Sequence, residues 1–332
     1  MNLQENQVIN GKLLYYAFLA GSKQILNNQT ELNQINVYPV NDKDTGTNLA
    51  STVRAIIENI KPTRSYSETV KDIANSALIG ARGNSGAIVA QFLVGLSNGM
   101  GNSRTITFDE FALSVEKSIP FIYEAIEKPV EGTILTVIKD WSDFLKSKRN
   151  NGTNLNITFI ESLDVIEKSL KLTTSKLQYL SKYNVVDAGA KGFVIFIKGI
   201  VDFLRKPNIR ELAIENIEKI EIIHTEEIDN EEISNRFCTE AVIKKSNLNK
   251  EELKNILADF GDSIVIAGNE NLCRIHVHTN NPSELFHKLQ SHGTITFQNA
   301  EDIIRQNEIA TKRKHQGRAA HAHLRPHPSG PV

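Results

Sequence analysis

The segment that decides the fold reads Asn36-Val-Tyr-Pro-Val-Asn-Asp42-Lys-Asp44-Thr45-Gly46-Thr47-Asn48, and an apolar helical stripe follows it directly. It places two carboxylates two residues apart, with small hydroxyl and amide side chains around the next glycine. Mg²⁺ takes oxygen ligands in octahedral geometry, commonly one or two carboxylates completed by phosphates and water. We therefore predict that Asp42 and Asp44 bind Mg²⁺ and that Asn36 adds a carbonyl oxygen.

The same segment predicts how the following helix begins. Thr45 and Thr47 are expected to cap it, and its N-terminal N–H groups then suit an anion. The alternative is an ordinary acidic turn before a capped helix, because short motifs also occur by chance.

Composition bounds the class of protein. The 332 residues suffice for two domains, and 40% hydrophobic with 23% charged residues is typical of a globular protein. A net charge of −1 gives no global field for nucleic acid. The two cysteines exclude a disulfide framework. Because we find neither a secretory signal nor a transmembrane segment, we expect a cytoplasmic protein.

Hydrophobic periodicity changes along the chain. Residues 1–205 carry apolar stripes at helical spacing and predict an all-α bundle or barrel. Residues 206–235 are rich in Glu and Ile and read as an acidic linker. Residues 236–310 predict a small α/β domain with strands at Thr239–Ile243, Ser263–Ala267 and Leu272–Thr279.

The last segment, residues 311–332, has five Lys or Arg, four His and three Pro and has no acidic residue. Such a composition cannot bury a core, so we predict a disordered tail. Weak metal binding by its four histidines is the less favoured alternative.

Three further segments stand at predicted helix starts. Gly80-Ala-Arg82-Gly83-Asn84-Ser85-Gly86 combines three glycines with a following apolar helix, which favours close approach of backbone N–H groups to phosphate. A helix–helix turn is the alternative. Lys128-Pro-Val-Glu-Gly-Thr133 and Asp187-Ala-Gly-Ala-Lys-Gly192 precede apolar helices in the same way, and each is also explained by capping alone.

In this order, the four segments resemble the nucleotide-binding L-subunit (DhaL-like) family of dihydroxyacetone kinases, and most closely the ATP-binding subunit of bacterial fatty-acid kinase. The resemblance covers nearly all of residues 1–205. Phe237-Cys-Thr-Glu240 and Ile275-His-Val-His-Thr279 extend it, because they resemble the middle domain of that protein. The sequence departs from the family pattern at Asn41, usually proline, and at Lys43 and Ala190, usually glycine.

The resemblance implies an antiparallel helical barrel that binds Mg-ATP at one end. Asp42 and Asp44 would act as catalytic metal ligands, with Asn36 as a weaker third. The implied nucleotide contacts are to the phosphates or metal from Thr45, Thr47 and Asn48, to phosphate oxygens from Gly83, Asn84, Ser85 and Gly86, and to the ribose or base from Asp187 and Gly189.

A separate constellation lies in the second domain. His276 and His278 are two residues apart on a predicted strand, so their side chains share one face, and Cys238 lies near the start of another strand. A thiolate and two imidazoles make a zinc set with an open position. The alternative is two half-exposed histidines and a core cysteine. Cys273 should face away from His276, because an odd number of residues separates them.

The resemblance also implies an activity and a partner. It implies ATP-dependent phosphorylation of a fatty-acid carboxylate, held by a separate DegV-type binding protein, to an acyl phosphate; a homodimer is expected. The alternatives are a dihydroxyacetone kinase-like phosphotransferase and a nucleotide-binding scaffold without turnover. Because some relatives are expected to carry the DegV-type domain C-terminally, we interpret the change after Ala310 as a truncated fusion.

Overall fold

The computed structural model describes residues 8–98, 101–150, 152–207, 234–244, 246, 248–269 and 271–304. Most of the predicted acidic linker and the whole predicted tail lie outside these ranges. The domain boundaries placed within those segments therefore stay predictions.

The first domain is helical, as its apolar stripes predict. A short antiparallel pair, β1 (Ile9–Asn10) and β2 (Thr105–Ile106), accompanies the helices. The helices are α1 (Gly11–Asn27), α2 (Gln29–Gln34), α3 (Thr45–Asn59), α4 (Tyr66–Gly80), α5 (Gly83–Ser97), α6 (Phe108–Ala125), α7 (Ile134–Ser147), α8 (Leu155–Lys176), α9 (Gln178–Tyr183) and α10 (Ala188–Arg205).

One apolar core joins the long helices. Aromatic rings meet at its centre, where the Trp141 ring lies 5.8 Å from Phe159 and 5.5 Å from Phe193 between centroids. A narrow cavity of about 90 Å³ with apolar walls runs beside them. Among the described helices, none combines the length and the apolar character that crossing a bilayer requires.

The second domain is a four-stranded antiparallel sheet in the order β4-β5-β3-β6, with two helices on one face. The three predicted strands and both predicted helices are present. The sequence analysis missed the edge strand β6. The elements are β3 (Phe237–Lys244), α11 (Lys250–Ala258), β4 (Gly261–Gly268), β5 (Leu272–Thr279), α12 (Pro282–Gln290) and β6 (Thr294–Asp302).

The two faces of this sheet have different partners. Cys273, Ile275 and Val277 point into the core under α11 and α12, as predicted for Cys273. The alternate residues of β5 point to the other face, towards α4 and α5 of the helical domain. Arg274 donates from there to the carbonyl of Ile79, at the end of α4. The sheet therefore packs directly against the helices that carry the glycine-rich segment.

Candidate functional site

The Asp42 and Asp44 carboxylates lie at the start of α3. The Asn36 amide group donates to Asp42 Oδ1 at 2.6 Å, and its oxygen accepts from the Thr45 hydroxyl. Asn36 is thus a hydrogen-bonding partner that orients Asp42. Its predicted role as a third metal ligand would require that oxygen to leave Thr45.

The expected capping by Thr45 and Thr47 is wrong. Asp44 occupies the N-cap position without a side-chain cap bond. The cap comes from α2, where Asn33 Oδ1 accepts from the Thr47 N–H at 3.0 Å. The Thr47 hydroxyl accepts in turn from Asn33 and Gln29. Tertiary contacts with α2 therefore replace the local cap, because Gly46 lets the two helices approach closely.

The carboxylate pair has the electrostatics of a cation site. Burial, followed by the charge of Asp44, raises the pKa of Asp42 well above its ordinary range, and burial also raises the pKa of Asp44. Two adjacent, partly desolvated carboxylates are costly when both are ionised. A bound divalent cation would remove that cost, so these residues fit Mg²⁺.

Lys43, between the two carboxylates, adopts a left-handed backbone conformation with φ 57°. Its side chain is buried, and its ammonium group donates to the Gln34 carbonyl at 2.8 Å. The lysine thus ties the Asp42–Asp44 turn to the end of α2.

The glycine-rich segment forms the start of α5 and packs on α3. Gly83 has φ +57°, and a Cβ there would lie 2.2 Å from the Asn48 amide nitrogen. A Cβ on Gly86 would lie 2.7 Å from the Thr52 hydroxyl. The glycines are thus needed for this close contact, which brings the predicted phosphate loop beside the carboxylate turn.

The amides of this loop are not equally placed for a ligand. The Gly83 N–H donates to the Glu240 carboxylate of the second domain at 2.8 Å, and the Gly86 N–H donates to the Arg82 carbonyl within the helix. Asn84 Oδ1 is buried with no hydrogen-bond partner among the described residues. An orphaned polar atom at a helix start is what a ligand site would leave, so Asn84 and Ser85 fit phosphate better than Gly83 does.

All four predicted segments meet at one cavity of about 330 Å³, which lies within the size range of ligand pockets. Gly189 is close to Ser85, since a Cβ on Gly189 would lie 3.1 Å from the serine hydroxyl. The second domain also contributes a wall. The polar and charged lining residues are Tyr38, Thr45, Asn84, Ser85, Glu127, Lys128, Thr133, Asp187, Asp262 and Ser263.

Asp187 caps α10 at the edge of this cavity. Its Oδ1 accepts from the Ala190 N–H at 2.7 Å. Burial raises the pKa of Asp187 to about 6, although the Ala190 N–H bond opposes the shift. The capping explanation for this segment is therefore correct, and the same residue also lines the cavity.

The cysteine and the two histidines of the second domain form a cluster. Cys238 lies opposite His278 across β3 and β5, and its Sγ is 3.7 Å from His276 Nδ1. One candidate ligand atom from each of the three residues lies within 4.8 Å of the others. His276 Nε2 is buried without a hydrogen-bond partner among the described residues. Three convergent ligands and an orphaned nitrogen fit a metal ion.

This cluster faces the carboxylate turn across the domain boundary. Burial raises the pKa of the Cys238 thiol well above its usual range, and the charges of Glu240, Asp44 and Asp42 raise it further. Burial, then the charge of His276, lowers the pKa of His278 to about 3, so its imidazole is neutral. Two constellations that look separate in the sequence are thus close enough to share one negative field.

Two buried charged residues in this region were missed. Glu240 and Arg274 are 3% and 1% exposed, and they form an ion pair at 2.8 Å. The signal was in the strand period. The rule that places His276 and His278 on one face also places Arg274 there, and it places Glu240 beside Cys238.

Comparison with known proteins identifies both domains. Residues 39–202 match the family model described as DAK2 domain. Residues 234–309 match the model for the middle domain of FakA-like fatty acid kinase proteins. The two matches bracket the site, since Asp42 and Ser85 lie in the first and Cys238 and His276 in the second.

Staphylococcal proteins are similar over most of the chain. An uncharacterized protein of Staphylococcus saprophyticus is 31% identical over 321 residues, covering 93% of this chain and 58% of that protein. One from Staphylococcus aureus strain N315 is 32% identical over 320 residues, covering 92% and 58%. The chain thus spans less than two thirds of these relatives. The native dihydroxyacetone kinase of C. freundii aligns with a TM-score of 0.45 and 14% identity, over 60% of this chain and 36% of that one.

Proposed function

Because the chain belongs to the family that joins a DAK2 domain to a FakA-like middle domain, we propose that it is an ATP-dependent phosphotransferase. We propose further that it is the ATP-binding part of a fatty-acid kinase. Its acceptor would be a fatty-acid carboxylate presented by a DegV-type binding protein, and its product an acyl phosphate.

One observation carries the proposal. Four segments far apart in the chain line a single cavity, and the start of that cavity's α3 wall holds a carboxylate pair suited to a cation. The cavity also joins polar contacts at Asn84 and Ser85 to apolar walls such as Ile88 and Ile134. That combination suits a nucleotide, whose phosphates need polar partners and whose base needs apolar surface.

Each group of residues would have a separate role. When bound, Mg-ATP would supply the transferable phosphoryl group and the cation that neutralises its oxygens. Asp42 and Asp44 would hold the cation, with Asn36 orienting Asp42. Asn84 and Ser85, at the positive end of α5, would stabilise phosphate charge. Asp187 and Gly189 would lie beside the nucleoside.

The acceptor chemistry is consistent with the residues present. A fatty-acid carboxylate is ionised at neutral pH, so it needs no general base to become a nucleophile. The reaction would then depend on positioning and charge neutralisation. His278, which is neutral, and the Cys238–His276 pair face the carboxylate turn. We propose that these three residues bind Zn²⁺ or otherwise assist this step.

The test is ADP release from Mg-ATP by the full chain, with and without a lipid-loaded DegV-type partner. We expect release to require both the lipid and Asp44, and Asp44→Asn to lower it by about a hundredfold or more. Asp202→Asn, an exposed aspartate on α10, is the matched control. Release with dihydroxyacetone but not with lipid would favour the dihydroxyacetone kinase alternative. Mg-dependent ATP binding without release would favour a scaffold.

A further inference from the structure

Glu240 joins the two domains at the phosphate loop. Its carboxylate accepts from the Gly83 N–H at 2.8 Å and from the Arg274 guanidinium at 2.8 Å. The same carboxylate lies 3.7 Å from His276 Nδ1. One buried side chain therefore touches the first residue of α5, a buried cation and a member of the Cys238–His276–His278 cluster.

Arg274 fixes this carboxylate in place. Its second nitrogen donates to the Ile79 carbonyl at 3.2 Å, and its guanidinium lies 4.6 Å from the centroid of the Phe297 ring. The arginine thus spans from the end of α4 to β6. Removing either partner of such a buried pair leaves an uncompensated charge, which makes the arrangement rigid. Hydrogen bonding from His276 and the charge of Arg274 overcome burial and lower the pKa of Glu240 to about 2, so the carboxylate stays ionised.

The Gly83 amide has a fixed direction. Gly83 is in the left-handed region and packs against Asn48, so its N–H cannot rotate without moving the start of α5. The next two residues, Asn84 and Ser85, line the nucleotide cavity. A ligand that shifts this turn must therefore shift or tighten the contact with Glu240.

We propose that Glu240 is a positioning residue that couples nucleotide occupancy of the phosphate loop to the Cys238–His276–His278 cluster. The inference rests on the proposed function, because it takes a magnesium nucleotide as the ligand of Asn84 and Ser85. Domain docking alone is the competing explanation. It would make Glu240 important for stability without making the cluster respond to nucleotide.

Hydrogen–deuterium exchange on the full chain separates the two, with Mg-ADP as the probe. In the wild type we expect Mg-ADP to slow amide exchange in residues 80–86 and also in 274–278. In Glu240→Gln we expect the slowing at 80–86 to persist and that at 274–278 to fall by about fivefold or more, the low end of coupling between sites. Asp302→Asn is the matched control, because Asp302 pairs with Arg236 inside the second domain. It should behave as the wild type.

The outcomes that overturn the inference are distinct. Slowing confined to 80–86 in the wild type, or unchanged slowing at 274–278 in Glu240→Gln, would refute coupling and leave the proposed function standing. No slowing at 80–86 would refute both. If Glu240→Gln does not fold, Arg274→Lys provides the second variant, because it keeps the charge and loses the guanidinium fork. The wild-type measurement alone also tests the inference.

Discussion

The side-chain oxygen of Gln91, in the middle of α5, accepts a 2.7 Å hydrogen bond from the backbone N–H of Gly268 at the end of β4. Gln91 is fully buried. Gly268 has φ +150°, and a Cβ there would lie 2.2 Å from the Leu272 carbonyl oxygen, so the position needs glycine. A buried polar bond therefore fixes the helical domain to the sheet at a second point, apart from Glu240.

Gln91→Ala should destabilise the protein. It leaves the Gly268 N–H without a partner and opens a cavity, although it also removes the buried Gln91 Nε2, which has no hydrogen-bond partner among the described residues. We expect a net loss of about 1–3 kcal/mol in the free energy of unfolding, measured by urea denaturation. Gln178→Ala, at an exposed helical glutamine, should change it by less than about 0.5 kcal/mol. Equal effects of the two variants would contradict the proposed contact.

Asp187→Asn should stabilise the nucleotide-free protein at neutral pH. The folded carboxyl has a pKa of about 6 against an ordinary 3.8, so between those pH values the folded state keeps a proton that the unfolded chain has lost. Stability therefore falls as pH rises through that window and stays low above it. The substituted amide still accepts from the Ala190 N–H and has no charge to bury.

We expect the variant to be more stable than the wild type by roughly 2–3 kcal/mol at pH 8 and by much less at pH 4. Denaturation curves at pH 4, 6 and 8 measure this difference. A gap that is the same at all three pH values would show that the carboxyl does not titrate in this range.

Lys43 separates backbone strain from side-chain bonding. Lys43→Ala loses the bond to the Gln34 carbonyl and keeps a left-handed backbone that a side chain disfavours, whereas Lys43→Gly loses the same bond and relieves the backbone. We expect the glycine variant to be the more stable of the two by about 1 kcal/mol. Thermal and urea unfolding measure the difference. Equal stability would mean that the turn relaxes in the alanine variant.

The Cys238–His276–His278 cluster should bind a thiophilic divalent ion. Co²⁺ added to the metal-free chain is expected to give a thiolate charge-transfer band, and Cys238→Ser should abolish it. Because the thiol holds its proton without metal, binding releases that proton, so affinity should rise by about tenfold per pH unit below the thiol pKa. Cys273→Ser, at the cysteine on the other face of β5, is the control and should keep the band. A pH-independent affinity would point to ligands other than Cys238.

Local sequence patterns predicted the elements well where periodicity is strong. The stripe from Leu49 to Ile60 became α3, and the strand predicted at Leu272–Thr279 has those bounds. The family resemblance read from short motifs is confirmed by the matches to both domains. β6 was missed because most of its residues are exposed or only partly buried, so it lacks an alternating apolar signal.

The site was predicted as residues and not as an arrangement. The cap of α3 comes from Asn33 on another helix, and no local pattern reveals a partner of that kind. The nearness of His276 to Asp44 depends on how two domains pack, which periodicity does not encode. Glu240 was within reach of the strand rule. Its importance becomes visible only with the contact to Gly83, 157 residues away.

The segment before α7 is held by the second domain. The Glu127 N–H donates to the Ile264 carbonyl at 3.2 Å, and Ile126 forms a bridge with Val265, so this stretch of the helical domain adds to the edge of β4. Ile264 and Val265 also line the cavity, together with Lys128. A binding constant measured on an excised helical domain would therefore describe a pocket without one of its walls, and with a polypeptide edge left unsatisfied.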